Sequence, residues 1–491
     1  MLYEGLTRLL DEGEVELALA KSVDISEDGL TYIFHLKDAS WSDGHPISAY
    51  DFEYSWKKIL TPEFGSPCSY LLYCIKHAEE SAKGKISPED TGIKALDSKT
   101  LRVILKNPTP YFLSLISFCN FYPIPKHVEI EHPSWNLVRD RTLVSSGPFR
   151  LEKWVPNQEI LVLKNTAYWD VGNVHLDGIQ INIIGDDKTS LRMFENKELD
   201  LLNSLLSSIP IDDLVNLKKK GMLQTRPIGG TLFCTFNLAE PLLKNQSIRR
   251  ALSCAIDRQS IIENISQLSE QPATRFVPPV LNHDKTRKFF PVSDPDLALA
   301  LFRKGLRELG IDPNDPNLNK NPSYLELVHS LTLSYEGIAM HKRIAQAIQE
   351  QWKQVLGFEI KLREYNFKNH LEALQSRNYS IGLDYWIVQF ADPVNILERF
   401  KYKHSKKNFP GYENPEYIQI LTEASSTNQA DYREELLERA EQLIASEMPL
   451  TPIYHFNQAI SHNANFTDLH FSPIGTLVYK KIRPVDPEEM H

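Results

Sequence analysis

The stretch that decides the fold runs from Tyr324 to Val388. It opens YLELVHSLTLSY (Tyr324–Tyr335), an apolar run that predicts a strand, and continues IAMHKRIAQAIQEQWKQV (Ile338–Val355), whose apolar residues recur at helical spacing. Gly357 supplies the helix stop. FEIKLRE (Phe358–Glu364) alternates as a second strand, FKNHLEALQ (Phe367–Gln375) is a helix, and YSIGLDYWIV (Tyr379–Val388) is a third strand. Strand, helix, strand, helix, strand at these lengths predicts parallel pairing with right-handed crossovers, an α/β fold. Ligands of such open sheets sit beyond the carboxyl ends of the strands. Trp386 and Gln389, just before the Asp392-Pro393 turn, belong at that edge. His341 is expected there too, in the first turn or so of a helix whose free N–H groups and positive dipole end suit a carboxylate.

A chain of 491 residues is too long for one compact core, so two or three domains are expected. With 42% hydrophobic and 24% charged residues it has the composition of a folded protein. A net charge of -10 argues against a nucleic-acid partner, which needs concentrated Lys and Arg. The basic runs Lys218-Lys219-Lys220 and Lys403-His404-Ser405-Lys406-Lys407 carry no interleaved aromatics and read as solvated faces. No apolar stretch approaches the roughly 20 residues that span a bilayer. The opening MLYEGLTRLLDEGEVE shows no export signal, so either the protein is cytoplasmic or a signal lies outside this chain. Cys68, Cys74, Cys119, Cys234 and Cys254 are odd in number and lack CxxC spacing, which speaks against a disulfide framework or a zinc site and for small buried hydrophobes.

Toward the N-terminus, Thr31–Lys37 alternates as a strand, WSDGHP (Trp41–Pro46) is a turn, and Ser48 is the expected N-cap of a helix from Ile47 to Trp56. Further strands are expected at Thr100–Lys106, Glu159–Leu163 and Gly178–Ile184, and Phe194–Asp200 closes a helix. Catalytic grammar is missing: the sequence holds no GxSxG, P-loop, GxGxxG or HExxH. His127-Val128-Glu129-Ile130-Glu131-His132 matches no standard zinc helix and reads as an exposed polar segment. A large chain without catalytic grammar is most simply a binding protein, so neither enzymatic activity nor a cofactor or metal is expected.

Seven motifs in one order then carry a resemblance: ALAKSVDISEDGLTYIFHLKDASWSDGHP (Ala18–Pro46), NPTPYF (Asn107–Phe112), SGPFRLEKW (Ser146–Trp154), NTAYW (Asn165–Trp169), FENKELD (Phe194–Asp200), FNLAEPLLKNQSIRRALSCAIDRQSI (Phe236–Ile261) and MPLTPIY (Met448–Tyr454). Over nearly its whole length the chain resembles the extracytoplasmic solute-binding proteins, family 5, that serve peptide ABC importers. The resemblance implies a periplasmic-binding-protein-like two-lobed clamp (type II, cluster C) with an inserted third domain. One lobe would be discontinuous, from residues 1–41, 146–244 and 461–491; the insert would occupy 42–145 and the second lobe 245–460. It also implies a monomer with peptide or peptide-like cargo and permease subunits as partners. Localisation would be periplasmic, or tethered on the outer side of the inner membrane, with an initial strand and any signal lying upstream of this chain.

The same resemblance implies a ligand-binding set of Trp386, Gln389, Tyr385, His341, Phe367, Tyr111, Asn237 and Leu383, and departures within it. Three residues after the Trp, peptide binders carry an Asp for the ligand's α-amino group; here stands Gln389. An Arg for the ligand's carboxylate is replaced by Leu383, and a Lys used for longer peptides by Ser266. Of the C-terminal anchors only His341 is kept. Phe367 falls where the family has a pocket-lining Trp, Tyr111 where it has a Tyr, and Asn237 where it has a cleft Asn. An amide does not neutralise an ammonium, so Gln389 implies weak binding of free amino termini or a different ligand group; alternatively Gln389 packs on Phe390 and Asp384 or Asp392 takes the carboxylate's role. Core packing stands as the other reading of Trp386, Phe367 and Tyr111, and a local turn as that of Asn237. The expected function is capture of peptides or peptide-like solutes in a closing cleft. A peptidoglycan fragment, nickel chelate, haem or oligosaccharide is the alternative cargo, and a hydrolase or chaperone the reading from another class.

Overall fold

The computed structural model describes the chain except residues 12, 205–208, 210, 282–285, 464 and 486–491. Its parallel strands Ile381–Ile387, Thr332–Glu336 and Lys361–Tyr365 lie side by side in that order, and helices Ala339–Leu356 and Phe367–Ser376 connect them. Gly357 ends the first of these helices at φ 79°, a left-handed conformation that glycine adopts without steric cost. The expected strand at Tyr324–Tyr335 needs correction: Pro322–His329 is a helix, and only Thr332–Glu336 is extended. Asn321 decides this locally, because its side-chain oxygen accepts from the N–H groups of Ser323 and Tyr324 at 3.0 and 3.2 Å, with Pro322 opening the first turn.

These strands form half of a mixed seven-stranded sheet. Its other half is antiparallel and built on two strands of thirteen residues each, Gln224–Phe236 and Leu450–His462, paired from Gln224↔Ile460 to Thr235↔Leu450. The first joins the parallel half by pairing with Ile381–Ile387, but only from Gly230 onward. At that point the ladder slips register between Pro227 and Thr231, a β-bulge holding Gly229 and Gly230. A Cβ at Gly229 would stand 2.6 Å from Val388 Cγ2, and one at Gly230 2.9 Å from Phe456 Cδ2, so the close approach of backbone to neighbour requires glycine at both.

A four-stranded sheet orders Ala20–Ile25, Thr31–Leu36, Thr100–Ile104 and Ile93–Ala95. It therefore joins residues on both sides of the 41/42 boundary by backbone hydrogen bonds. Helix Ala49–Ile59 packs on it, entered through Ser48, whose N–H donates to the Asp51 carboxylate at 2.8 Å. Phe149–Val155, Glu159–Lys164 and Gly178–Asn182 make a three-stranded meander with its own small core around Phe149, Leu151 and Tyr168. No helix among the described residues is long and apolar enough to cross a membrane. Of the cysteines, Cys234 and Cys254 are buried as expected, whereas Cys119 is exposed. The segment from His127 is a short helix, Lys126–Glu131, and is not uniformly exposed: Glu129 is buried and bonded by Lys58 and the Trp135 indole.

Candidate binding cleft

Side chains of strand Ile381–Ile387 alternate between its two faces, so Asp384 and Trp386 share one and Leu383 and Tyr385 the other. Past the strand end, Asn395 holds the next turn: its side-chain oxygen accepts from the Trp386 indole N–H at 3.0 Å and from the Gln389 backbone N–H at 3.2 Å. Gln389 is reached from the far end of the sequence. The Tyr70 hydroxyl donates to Gln389 Oε1 at 2.6 Å, Tyr111 stacks on Phe390 with centroids 5.2 Å apart, and Ser114 Oγ accepts from the Ala391 N–H at 3.1 Å. Residues 386–391 thus form one side of a seam whose other side is the segment expected as an insert. Beside it lies a hollow of about 270 Å³ bordered by Pro110, Leu281, Ala391, Asp392 and Arg433.

The charges under this seam are unusual. The Arg399 guanidinium is buried 4.0 Å from the Trp386 ring centroid and 3.7 Å from Asp384, and its Nε and Nη1 have no hydrogen-bond partner. Burial pushes Asp384 up to about 6, with Arg399 opposing. Lys407 sends its ammonium over the faces of Tyr70, at 3.2 Å, and Trp386, at 5.2 Å; burial, with Arg399 adding repulsion, pushes it down to about 7. The basic run ending in Lys407 is therefore not a wholly solvated face, because its last residue turns inward. Neither acid considered as a stand-in for the missing carboxylate is free. Asp384 lies against Arg399, and Asp392 pairs with Arg433 at 2.8 Å while accepting from the Val394 N–H.

The expected site residues do not all converge. Trp386, Gln389 and Tyr111 meet at the seam. Tyr385 lies on the opposite strand face, where its ring is 5.7 Å from that of His341 and 6.0 Å from Phe456. Leu383 is fully buried in the core, and Phe367 stands 58% exposed at the first position of its helix. Asn237 spends its side chain on structure, donating to the carbonyls of Arg377 and Tyr379 and accepting from the Ala239 N–H. Ser266 is buried with its hydroxyl donating to Glu270. Tyr70, Asn395, Arg399 and Lys407 were missed by sequence reasoning. Only Lys407 stood in a segment singled out there, and nothing local distinguishes it from Lys406.

This architecture has known counterparts. Residues 14–408 match the model of the bacterial extracellular solute-binding proteins, family 5. The chain belongs to that family. The oligopeptide-binding protein OppA of Bacillus subtilis is 36% identical over 481 residues, spanning 97% of this chain and 86% of that protein. The dipeptide-binding protein DppE of the same organism is 31% identical, over 98% of this chain and 86% of its own. Among solved structures, a periplasmic oligopeptide-binding protein of Borrelia burgdorferi superposes with a TM-score of 0.82 at 30% identity, covering 99% of this chain and 94% of the other.

In this solute-binding protein burial works against a positive charge on His341. His341 is 2% exposed, its Nδ1 has no partner, and burial pushes it from 6.5 to about 4, with His370 adding to the effect. The unfolded chain takes up a proton at this ring as pH falls through about 6.5, while the folded ring resists until about 4. Its contribution to stability is therefore full above pH 6.5 and is lost on acidification. Denaturant unfolding of wild type and His341→Gln should show the wild-type advantage shrinking by about 1.4 kcal/mol per pH unit across that window. A pH-independent difference would mean that the ring is hydrated in the folded state.

Proposed function

We propose that this protein is the peptide-capturing component of an ABC importer, working on the outer side of the cytoplasmic membrane. The observation that carries the reading is the seam itself: Tyr70 and Tyr111 meet Gln389 and Phe390 across parts of the chain with separate strand sets, as two jaws meet over a cleft. Relatives similar along nearly the whole chain are named for oligopeptide and dipeptide binding, which supports peptide as the cargo class. Trp386 walls the cleft, the seam closes over the cargo, and the permease receives it when the jaws part. The lobe boundaries that the resemblance implies would put the hinge at chain crossings near residues 244 and 460; the bulge at Gly229 and Gly230 with the facing strand near His455 is the better candidate, because the first long strand already joins the parallel half at Gly230.

Mass spectrometry of solute released from the purified protein on denaturation should yield peptides, and small-angle scattering should show compaction when peptide is added to emptied protein. An unchanged radius of gyration at saturation would count against a clamp, and recovery of a non-peptide solute alone would overturn the cargo class.

A further inference from the structure

The seam carries positive charge without a matching acid. Among the described residues no carboxylate or carbonyl accepts a hydrogen bond from the Lys407 ammonium, which lies over the Tyr70 and Trp386 rings, with Glu398 and Cys68 acting on it only through space. The nearby acids are committed: Asp384 to Arg399, Asp392 to Arg433, and Glu398 to Lys401 and Ser425. Over the same indole, Nε and Nη1 of the buried Arg399 remain unpartnered. Gln389, on the same Tyr70, adds an amide and no charge. A half-buried ammonium over two aromatic faces has no carboxylate in hydrogen-bond contact, and cation–π attraction compensates lost hydration only in part.

We propose that the corner where Tyr70, Trp386 and Gln389 meet is an anion subsite in which, once the seam parts, Lys407 binds a carboxylate of the captured peptide. This rests on the peptide reading above and names the chemistry that reading leaves open. A carboxylate at this corner would meet the Lys407 ammonium directly, with the Gln389 amide N–H groups as further donors and the nearby Arg399 adding favourable potential. A free α-amino group placed there would meet a like charge.

Calorimetry on the full chain with four peptides tests this: succinyl-Ala-Ala-Ala-amide, acetyl-Ala-Ala-Ala, acetyl-Ala-Ala-Ala-amide and Ala-Ala-Ala-amide with a free amine. A carboxylate-bearing peptide should bind at least about tenfold tighter than the neutral acetylated amide, as a charge-assisted hydrogen bond allows. Preference for the succinyl peptide places the carboxylate at the amino end of the cargo, and preference for acetyl-Ala-Ala-Ala at its carboxyl end. Lys407→Met, which keeps the aliphatic stem, should abolish that preference, while Lys407→Arg should retain it. Equal affinities for charged and neutral peptides in the wild type, or tightest binding of the free amine, would overturn the anion subsite whatever the variants do. Binding of none of the four would overturn the peptide reading as well.

Discussion

Trp386→Ala should reduce cargo affinity by about thirtyfold or more, a cost of ~2 kcal/mol typical of an aromatic anchor lost from a binding interface. The fold should survive. The indole is only partly buried, its N–H bonds the Asn395 side chain, and that side chain still holds the Gln389 backbone once the indole is gone. Arg399 would lose the ring that covers it, but water entering from the cleft would meet its unpartnered N–H groups. Calorimetry should therefore show the loss of binding, while the far-ultraviolet circular dichroism spectrum stays that of the wild type. Trp386→Phe, which keeps an aromatic face for Lys407, should recover part of the affinity. A Trp386→Ala protein that binds cargo as tightly as the wild type would make Trp386 a packing residue and move the cleft elsewhere.

Gln389→Asp should reverse the preference of the cleft. The new carboxylate would face the Tyr70 side chain over whose ring Lys407 lies, and opposite charge would draw the ammonium toward it. Pairing would take the Lys407 ammonium from the cargo, so carboxylate-bearing peptides should lose about ten- to a hundredfold in affinity. That range corresponds to a charge-assisted hydrogen bond of about 1.5–3 kcal/mol. Peptides with a free amine should gain, because their ammonium would face an acid in place of an amide. Titration of both proteins with succinylated and free-amine peptides measures the crossing. If the substitution leaves both affinities unchanged, position 389 does not face the cargo.

The α/β unit was legible because its cues are local. Apolar spacing over Ile338–Val355, the Gly357 stop and the alternation after Phe358 all act within a few residues, and the three strands pair in parallel as that order implies. The misreading at Tyr324 was also local: a run of Leu and Val outweighed the Asn321-Pro322 helix start, whose side-chain bonds decide the backbone. The absence of charge at position 389 could be read from the sequence, since it needs only the residue three places after Trp386.

The neighbours of Gln389 could not be read, because they come from tertiary contact. Tyr70 lies 319 residues away, and period-2 alternation sends Trp386 and the Tyr385–His341 pair to opposite faces even though both sit at one sheet edge. The sequence by itself determined the parallel unit, the family resemblance and the loss of the expected carboxylate. Only the folded chain decided that Lys407, and not Lys406, turns inward onto two aromatic rings, since the charge state of a lysine depends on the water and counter-charges that distant segments remove or supply.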